Sequence, residues 1–504
     1  MPNAAPQPLT LEGLLWRRER WTPGALVLRG GRVAEVLPPG RSPRGVPVFR
    51  ADRVTPGLVD GHGHPSGLGR QLGRLDLRGC ASLDEALSRV ASAPGDGWIL
   101  GEGWDQERWE GRPWPTAEAL EGSARGRPCY LRRVDGHAAW VSEAALRLAG
   151  LAPGTPDPPG GRLLRHPDGR LTGVLLDTAM RLIRPPRPTP ADRERDLARG
   201  AAHLADLGLT GIHVMGAGDE ELAAALLLEA RGALPLRLWL YALPESEAAA
   251  RLVRSGPWGQ GLVRVVGVKL FADGALGSRG AWLSEDYADA PGERGLSTLP
   301  DEALDLWLRR ADDGRFGLAV HAIGDRAARQ VLDARERSAA RPPLRLEHAQ
   351  IVRPEDLGRL RRLAVTPSFQ PLHGHDDRAW AEDRLGPRRM AWAYRWADLV
   401  REAHSYVLGS DLPIARADPW EGLSAATREP WPGGWPLAGP MPRQRLTEAQ
   451  ALRGYTTGPA QAVGERGPEL EPGARADLSL WRVDSAGRWH SAGTVLHGAL
   501  RPSP

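Results

Sequence analysis

Eight short apolar runs alternate with longer stretches of helical period, and residues able to bind metal or move protons fall at the ends of those runs. Together these observations predict an α/β fold, a closed (β/α)8 TIM barrel. Similar strand-like segments at both ends of the chain add a small β-sandwich domain built from both termini.

The elements follow in order. Gly24 to Arg29 and Arg32 to Leu37 flank a Gly30-Gly31 pair and read as a hairpin. A matching stretch, Pro472 to Trp481 and Gly493 to His497, lies near the other end. Residues 1–54 and 440–504 are therefore assigned to one composite β domain, and 55–439 to the barrel. The eight runs are Thr55 to His62, Gly208 to Met215, Leu236 to Ala242, Val263 to Phe271, Gly317 to His321, Leu344 to His348, Ala364 to Phe369 and Ser405 to Asp411. Helical patterns such as Glu220 to Ala230 and Asp325 to Ala339 fall between them. Residues 66–207 form a long insertion after barrel strand 1, too long for a loop without structure of its own. Its Trp98, Trp104, Trp109 and Trp114 suggest an aromatic cover, and a second Trp- and Pro-rich stretch runs from Pro430 to Pro442.

Composition narrows the function classes. A formal charge of +4 with scattered arginines gives no basic arm, so nucleic acid is not an expected partner. No apolar run is long enough to span a membrane, and no basic-then-apolar leader pattern appears, so a cytoplasmic protein is expected. Two cysteines, Cys80 and Cys129, are too few for a disulfide framework or a cysteine-rich zinc site. A homo-oligomer is left open.

Lys269 is the only lysine among 66 basic residues. A chain that uses arginine everywhere else has kept an amine here, inside a buried β-branched run. Unlike a guanidinium, a buried amine can lose its proton and react, as a Schiff base or as a carbamate.

The ends of barrel strands face the active site of this architecture. There the sequence places His62-Gly63-His64, Lys269, His321, His348 and Asp411. Any one of these is weak; together they indicate a metal site. His373-Gly374-His375 is a rival His-x-His pair, placed in a rim loop by Pro371 and Asp376-Asp377.

These motifs resemble the amidohydrolase superfamily, in the amidohydrolase-3 group that includes N-substituted formamide deformylases. The residues carrying the resemblance are Pro56 to His64, Lys269 to Arg279, Val320 to Ala327, Glu347 to Gln350 and Gly409 to Pro413. Gly103 to Gln106, Arg133 to Ala138 and Pro472 to Asp477 add to it. The resemblance implies that His62 and His64 bind one divalent metal, with Asp411, and that His321 and His348 bind a second. Carbon dioxide, as a carbamate on Lys269, would bridge the two. One or two ions are expected, zinc first for imidazole and carboxylate donors, with iron, manganese or nickel open. Asp411 is the expected proton shuttle and His137 a candidate for holding the oxyanion. Trp104, Asp273 and Arg279 are candidates for binding a small-molecule substrate, although Trp104 could equally be core and Asp273 could pair with Arg279.

The expected activity is hydrolysis of carbon–nitrogen bonds other than peptide bonds, in amides or N-acyl and N-formyl amines. A metal-dependent esterase, lactonase or phosphoesterase, or an inactive scaffold, is the alternative. A Schiff-base lyase would not need four histidines and an aspartate at strand ends. No phosphate-binding Gly-Lys loop and no Gly-x-Ser-x-Gly elbow is present.

Overall fold

Thr55 to His62, read above as one strand, is divided between two sheets at Gly57. In the computed structural model, which describes residues 6–134, 137–428 and 444–504, Val48–Pro56 belongs to a sheet made by the chain ends. After Gly57 the chain enters the barrel as β1, Leu58–Gly63. A Cβ at Gly57 would lie 2.1 Å from Thr210 Oγ1, so a side chain would block this crossing.

Seven further strands complete the barrel: β2 Leu209–Ala217, β3 Arg237–Ala242, β4 Val263–Phe271, β5 Gly317–Ala322, β6 Leu344–His348, β7 Val365–Phe369 and β8 Val407–Leu408. Neighbours pair in chain order, all parallel. Closure between β8 and β1 uses residues beyond the strands. Asp411 N–H donates to His62 O at 2.7 Å, and His64 N–H donates to Leu412 O at 2.8 Å. At this seam a Cβ on Gly61 would lie 1.9 Å from Val407 Cγ1.

The strands read as nearly continuous apolar runs because helices cover them outside and side chains fill the inside. All six residues of β3 are buried. Helices Asp219–Ala230, Glu247–Ser255, Asp301–Gly314, Asp325–Arg337 and Pro354–Arg362 stand between successive strands. Each turns an apolar stripe inward, such as Leu304, Leu308 and Ala311. Burying one such leucine stabilises the fold by roughly 1.5–3 kcal/mol. Ser246 starts one of these helices cleanly, its hydroxyl accepting from Ala249 N–H at 3.1 Å.

The two ends of the chain share one seven-stranded mixed sheet. Val48–Pro56 lies at its centre, parallel to Leu9–Arg17 and antiparallel to Leu478–Val483. The Gly30-Gly31 hairpin is present, pairing Leu26 with Val36. This sheet is fastened beneath the barrel by polar contacts. Leu58 N–H donates to Ser479 Oγ, which donates to Gly208 O, and Arg237 Nε lies 2.7 Å from Asp477 Oδ2. Helices Glu448–Tyr455 and Thr457–Ala462 pack beside β1 and β8.

Residues up to Gly69 and from Arg193 onward form one compact unit; Arg70 to Asp192 form another. Helix Pro190–Asp206 turns Leu197, Ala201 and Leu204 into the barrel core. The second unit has its own six-stranded sheet, and its core includes Trp104, Trp109 and Trp140. Trp114 is exposed and Trp98 only partly buried. The stretch Pro430 to Pro442 lies outside the described residues. Among the described residues, no helix is long and apolar enough to cross a membrane.

Candidate metal centre

Register fixes the height of each side chain in the barrel mouth. Lys269 on β4 pairs with Ala319, and Phe271 with His321 on β5; His321 in turn pairs with Glu347 on β6. Alternation therefore puts Lys269, His321, Arg345 and Glu347 on one face of the sheet. His348, one residue beyond Glu347, should point the other way. Its backbone breaks the alternation with φ 69°, and Asp411 does the same after β8 with φ 59°. Left-handed non-glycine residues are costly and gather where geometry is functionally constrained.

The result is a buried donor group. A nitrogen of His62, a nitrogen of His348 and an oxygen of Asp411 lie within 4.8 Å of one another. The His62 and His348 rings are 4.9 Å apart, and those of His348 and His321 are 4.4 Å apart. Neutral imidazoles and a carboxylate suit a divalent first-row metal.

Hydrogen bonds behind the donors set their tautomers. Glu347 Oε2 lies 2.6 Å from His62 Nδ1. Burial alone would raise the Glu347 pKa, but Arg345 and then Lys269 hold it below the usual range, so the carboxylate is ionised and accepts from Nδ1–H. His348 Nδ1 donates to Gln370 Oε1 at 2.9 Å. Both rings therefore keep Nε2 free to bind a metal. Beneath them Arg345, fully enclosed in the barrel, donates to Gly61 O at 2.8 Å, Ser368 Oγ at 3.0 Å and Glu347 Oε2 at 3.1 Å, and approaches His213 Nδ1 at 2.7 Å. On the other side, Asp60 joins β1 to the β8 turn. Its Oδ1 accepts from His62 and Ser410 N–H, its Oδ2 accepts from the Ser410 hydroxyl at 2.6 Å, and burial pushes its pKa up to about 6.

Electrostatics favour neutral bases and an ionised acid. Burial, with Lys269 adding to it, lowers the pKa of His62 far below its ordinary value and that of His321 to about 4. Burial and the neighbouring His321 do the same for His348. Burial would raise Asp411, but His62, His64 and His373 outweigh it and hold the carboxyl well below its usual range. Lys269 is 1% exposed, its Nζ has no hydrogen-bond partner among the described residues, and burial brings its pKa down to about 8. An orphaned buried amine beside a cluster of donors fits a missing anionic or metal partner.

Other residues singled out in the sequence fall as follows. His64 Nε2 is 3.1 Å from Asp411 Oδ1, at the open side of the group. His321 Nε2 lies 3.3 Å from Asp273 Oδ1 and 3.4 Å from Gly274 O, so it borders the three-donor group without entering it. Asp273 does not pair with Arg279. Its carboxylate accepts the backbone N–H groups of Trp282, Ile323 and Gly324, and burial raises its pKa to about 7. Arg279 instead pairs with Asp289 at 2.8 Å. Trp104 is fully buried in the core of the insertion unit and donates to Leu131 O. His137, in the same unit, is exposed with Nδ1 2.8 Å from Asp177 Oδ1, while Asp135 and Gly136 of its motif lie outside the described residues. His373 reaches the site, with Nε2 3.9 Å from Asp411 Oδ2; His375 turns away to Ala425 O. Reading His373 as a rim residue missed this, as did the absence of any sequence signal for Arg345 and His213.

Residues 52–498 match the model of the amidohydrolase family. The chain belongs to the amidohydrolase family. It is 36% identical over 392 residues to YtcJ, a proposed amidohydrolase of Bacillus subtilis (strain 168), covering 74% of this chain and 72% of that one. It is 27% identical over 496 residues to the N-substituted formamide deformylase of Arthrobacter pascens, covering 90% and 89%. Among solved structures, an uncharacterized metal-dependent hydrolase of Pyrococcus furiosus superposes with a TM-score of 0.77 at 30% identity, covering 93% of this chain and 97% of that one. With its buried donor group on a barrel of this family, the amidohydrolase is a metal-dependent hydrolase.

Proposed function

We propose that this amidohydrolase cleaves the carbon–nitrogen bond of a small N-acyl or N-formyl amine, using zinc. The observation that carries the reading is the buried group of His62, His348 and Asp411 beside a Lys269 Nζ that has no hydrogen-bond partner among the described residues. The relative named as an N-substituted formamide deformylase supports the substrate class.

In this reading His62, His64 and Asp411 would hold one ion and His321 and His348 a second, and Lys269 as its carbamate would supply anionic oxygens to them. Such ions supply a more acidic water and a polarised carbonyl. Lys269 must first lose its proton to take up carbon dioxide, and a pKa near 8 brings the neutral amine within reach at ordinary pH. Asp411 accepts the proton of the attacking water and passes it to the leaving nitrogen. Glu347 and Gln370 keep His62 and His348 in the tautomer that can bind metal.

The test is a substrate panel with zinc-loaded enzyme: N-formyl and N-acyl amines beside matched esters, lactones and phosphoesters. Turnover of the amides supports the reading. Turnover restricted to esters, lactones or phosphoesters would replace it.

A further inference from the structure

One part-buried imidazole at the site has a ring nitrogen with no hydrogen bond among the described residues. His373 lies in the helix Pro371–Asp376 that follows β7. Its Nε2 is buried and makes no hydrogen bond among the described residues, and its ring is nearly parallel to that of His348 at 6.2 Å. The two oxygens of Asp411 face different neighbours. Oδ1 lies 3.4 Å from His62 Nε2 and 3.1 Å from His64 Nε2, whereas Oδ2 lies 3.9 Å from His373 Nε2. That last distance is too long for a hydrogen bond. It is a span one polar atom can bridge, meeting each partner at an ordinary hydrogen-bond length. The mutually close donors are His62, His348 and Asp411, and His373 is not among them.

We propose that His373 is a catalytic residue that reads the N–H of the scissile amide, so that the enzyme prefers secondary amides over N,N-disubstituted ones. The inference rests on the amide reading above. His373 Nε2 accepts the amide N–H, which turns the lone pair developing on that nitrogen toward Asp411 Oδ2. The water oxygen bonds to the carbonyl carbon and gives one proton to Asp411. The carbon–nitrogen bond then breaks, its electron pair stays on nitrogen, and Asp411 returns the proton there. Acid and amine leave, and His373 ends unchanged. An ester offers no N–H, so His373 has nothing to accept from it.

The experiment compares wild type, His373→Ala and His373→Gln on three substrates: an N-formyl primary amine, its N-methyl counterpart and the matched formate ester. Metal content and thermal unfolding are measured on each protein. Wild type should favour the N–H amide over the N-methyl one. His373→Ala should lower kcat for the N–H amide by about 10–100-fold, the loss of one strong hydrogen bond, and lower the ester rate far less. Metal content should hold, and His373→Gln, whose Oε1 can accept, should recover part of the amide rate. Loss of metal in His373→Ala would make the residue a ligand and overturn the proposal. Equal losses on amide and ester would overturn it too, leaving only a role in holding Asp411. A wild type that cleaves the ester and neither amide defeats the amide reading itself, which is a separate result.

Discussion

Glu347 Oε2 lies 2.6 Å from His62 Nδ1, and both side chains are shut off from solvent. This contact links the metal-facing histidine of β1 to the buried Arg345 of β6, so metal binding and fold stability share a residue. Glu347→Gln should weaken metal binding by about 10–100-fold, the range for losing a partner behind a ligand. It should also destabilise the protein by roughly 3–5 kcal/mol, because Arg345 keeps a buried charge without its counterion. Metal titration and denaturant unfolding measure the two effects separately.

Asp411→Asn keeps an oxygen for the metal and removes the base. We expect kcat to fall by at least about 10²-fold, the lower range for acid–base catalysis, with metal content falling far less. Near wild-type kcat would assign the proton transfer to another residue.

Acid should destabilise the metal-free protein through its buried histidines. Burial lowers His321 from an ordinary value of 6.5 to about 4, and holds His62 and His348 well below 6.5 as well. As pH falls from 6.5 towards 4, the unfolded chain takes up protons that the native chain refuses. Stability is therefore lost in that window, by up to about 1.4 kcal/mol per pH unit for each histidine. Above about 6.5 both states are neutral and these groups give no slope. Unfolding at a series of pH values checks this, and a flat profile from 6.5 to 4 would contradict it.

Much of this was readable in advance, because burial on both faces leaves an unmistakable run of apolar residues. The eight barrel strands follow from it, and with them the strand-end positions of His62, His348 and Asp411. The break at Gly57 was hidden, since Thr55-Pro56 and Leu58-Val59 are uncharged and equally buried on either side of it. β8 was read as Ser405 to Asp411, yet only Val407–Leu408 is strand; the left-handed turn at Asp411 does the rest. Arg345 and His213 carry no local signal, because a buried ion network is assembled from strands distant in sequence. His373 was visible as a motif but not as a site residue, since its direction depends on a helix that begins at Pro371.

Lys269→Arg should be harmful although arginine serves everywhere else in the chain. A guanidinium stays charged and would repel a nearby divalent ion by about 8 kcal/mol per contact at about 4 Å and an effective dielectric of 20. Lys269→Ala leaves room without charge, so added acetate or formate should restore part of its activity, and should not restore Lys269→Arg. A carbon-13 signal from labelled carbon dioxide on wild type, absent in both variants, would report the carbamate directly.

The account stands first on the metal. Purified protein, wild type and a His62→Ala, His348→Ala double variant, should be assayed for bound metal by plasma emission and for hydrolysis before and after chelation. We predict one or two divalent ions per wild-type chain, loss of activity on chelation with recovery on adding zinc, and little metal in the double variant. A wild-type protein that hydrolyses its substrate at full rate with no metal bound would contradict the account at its centre.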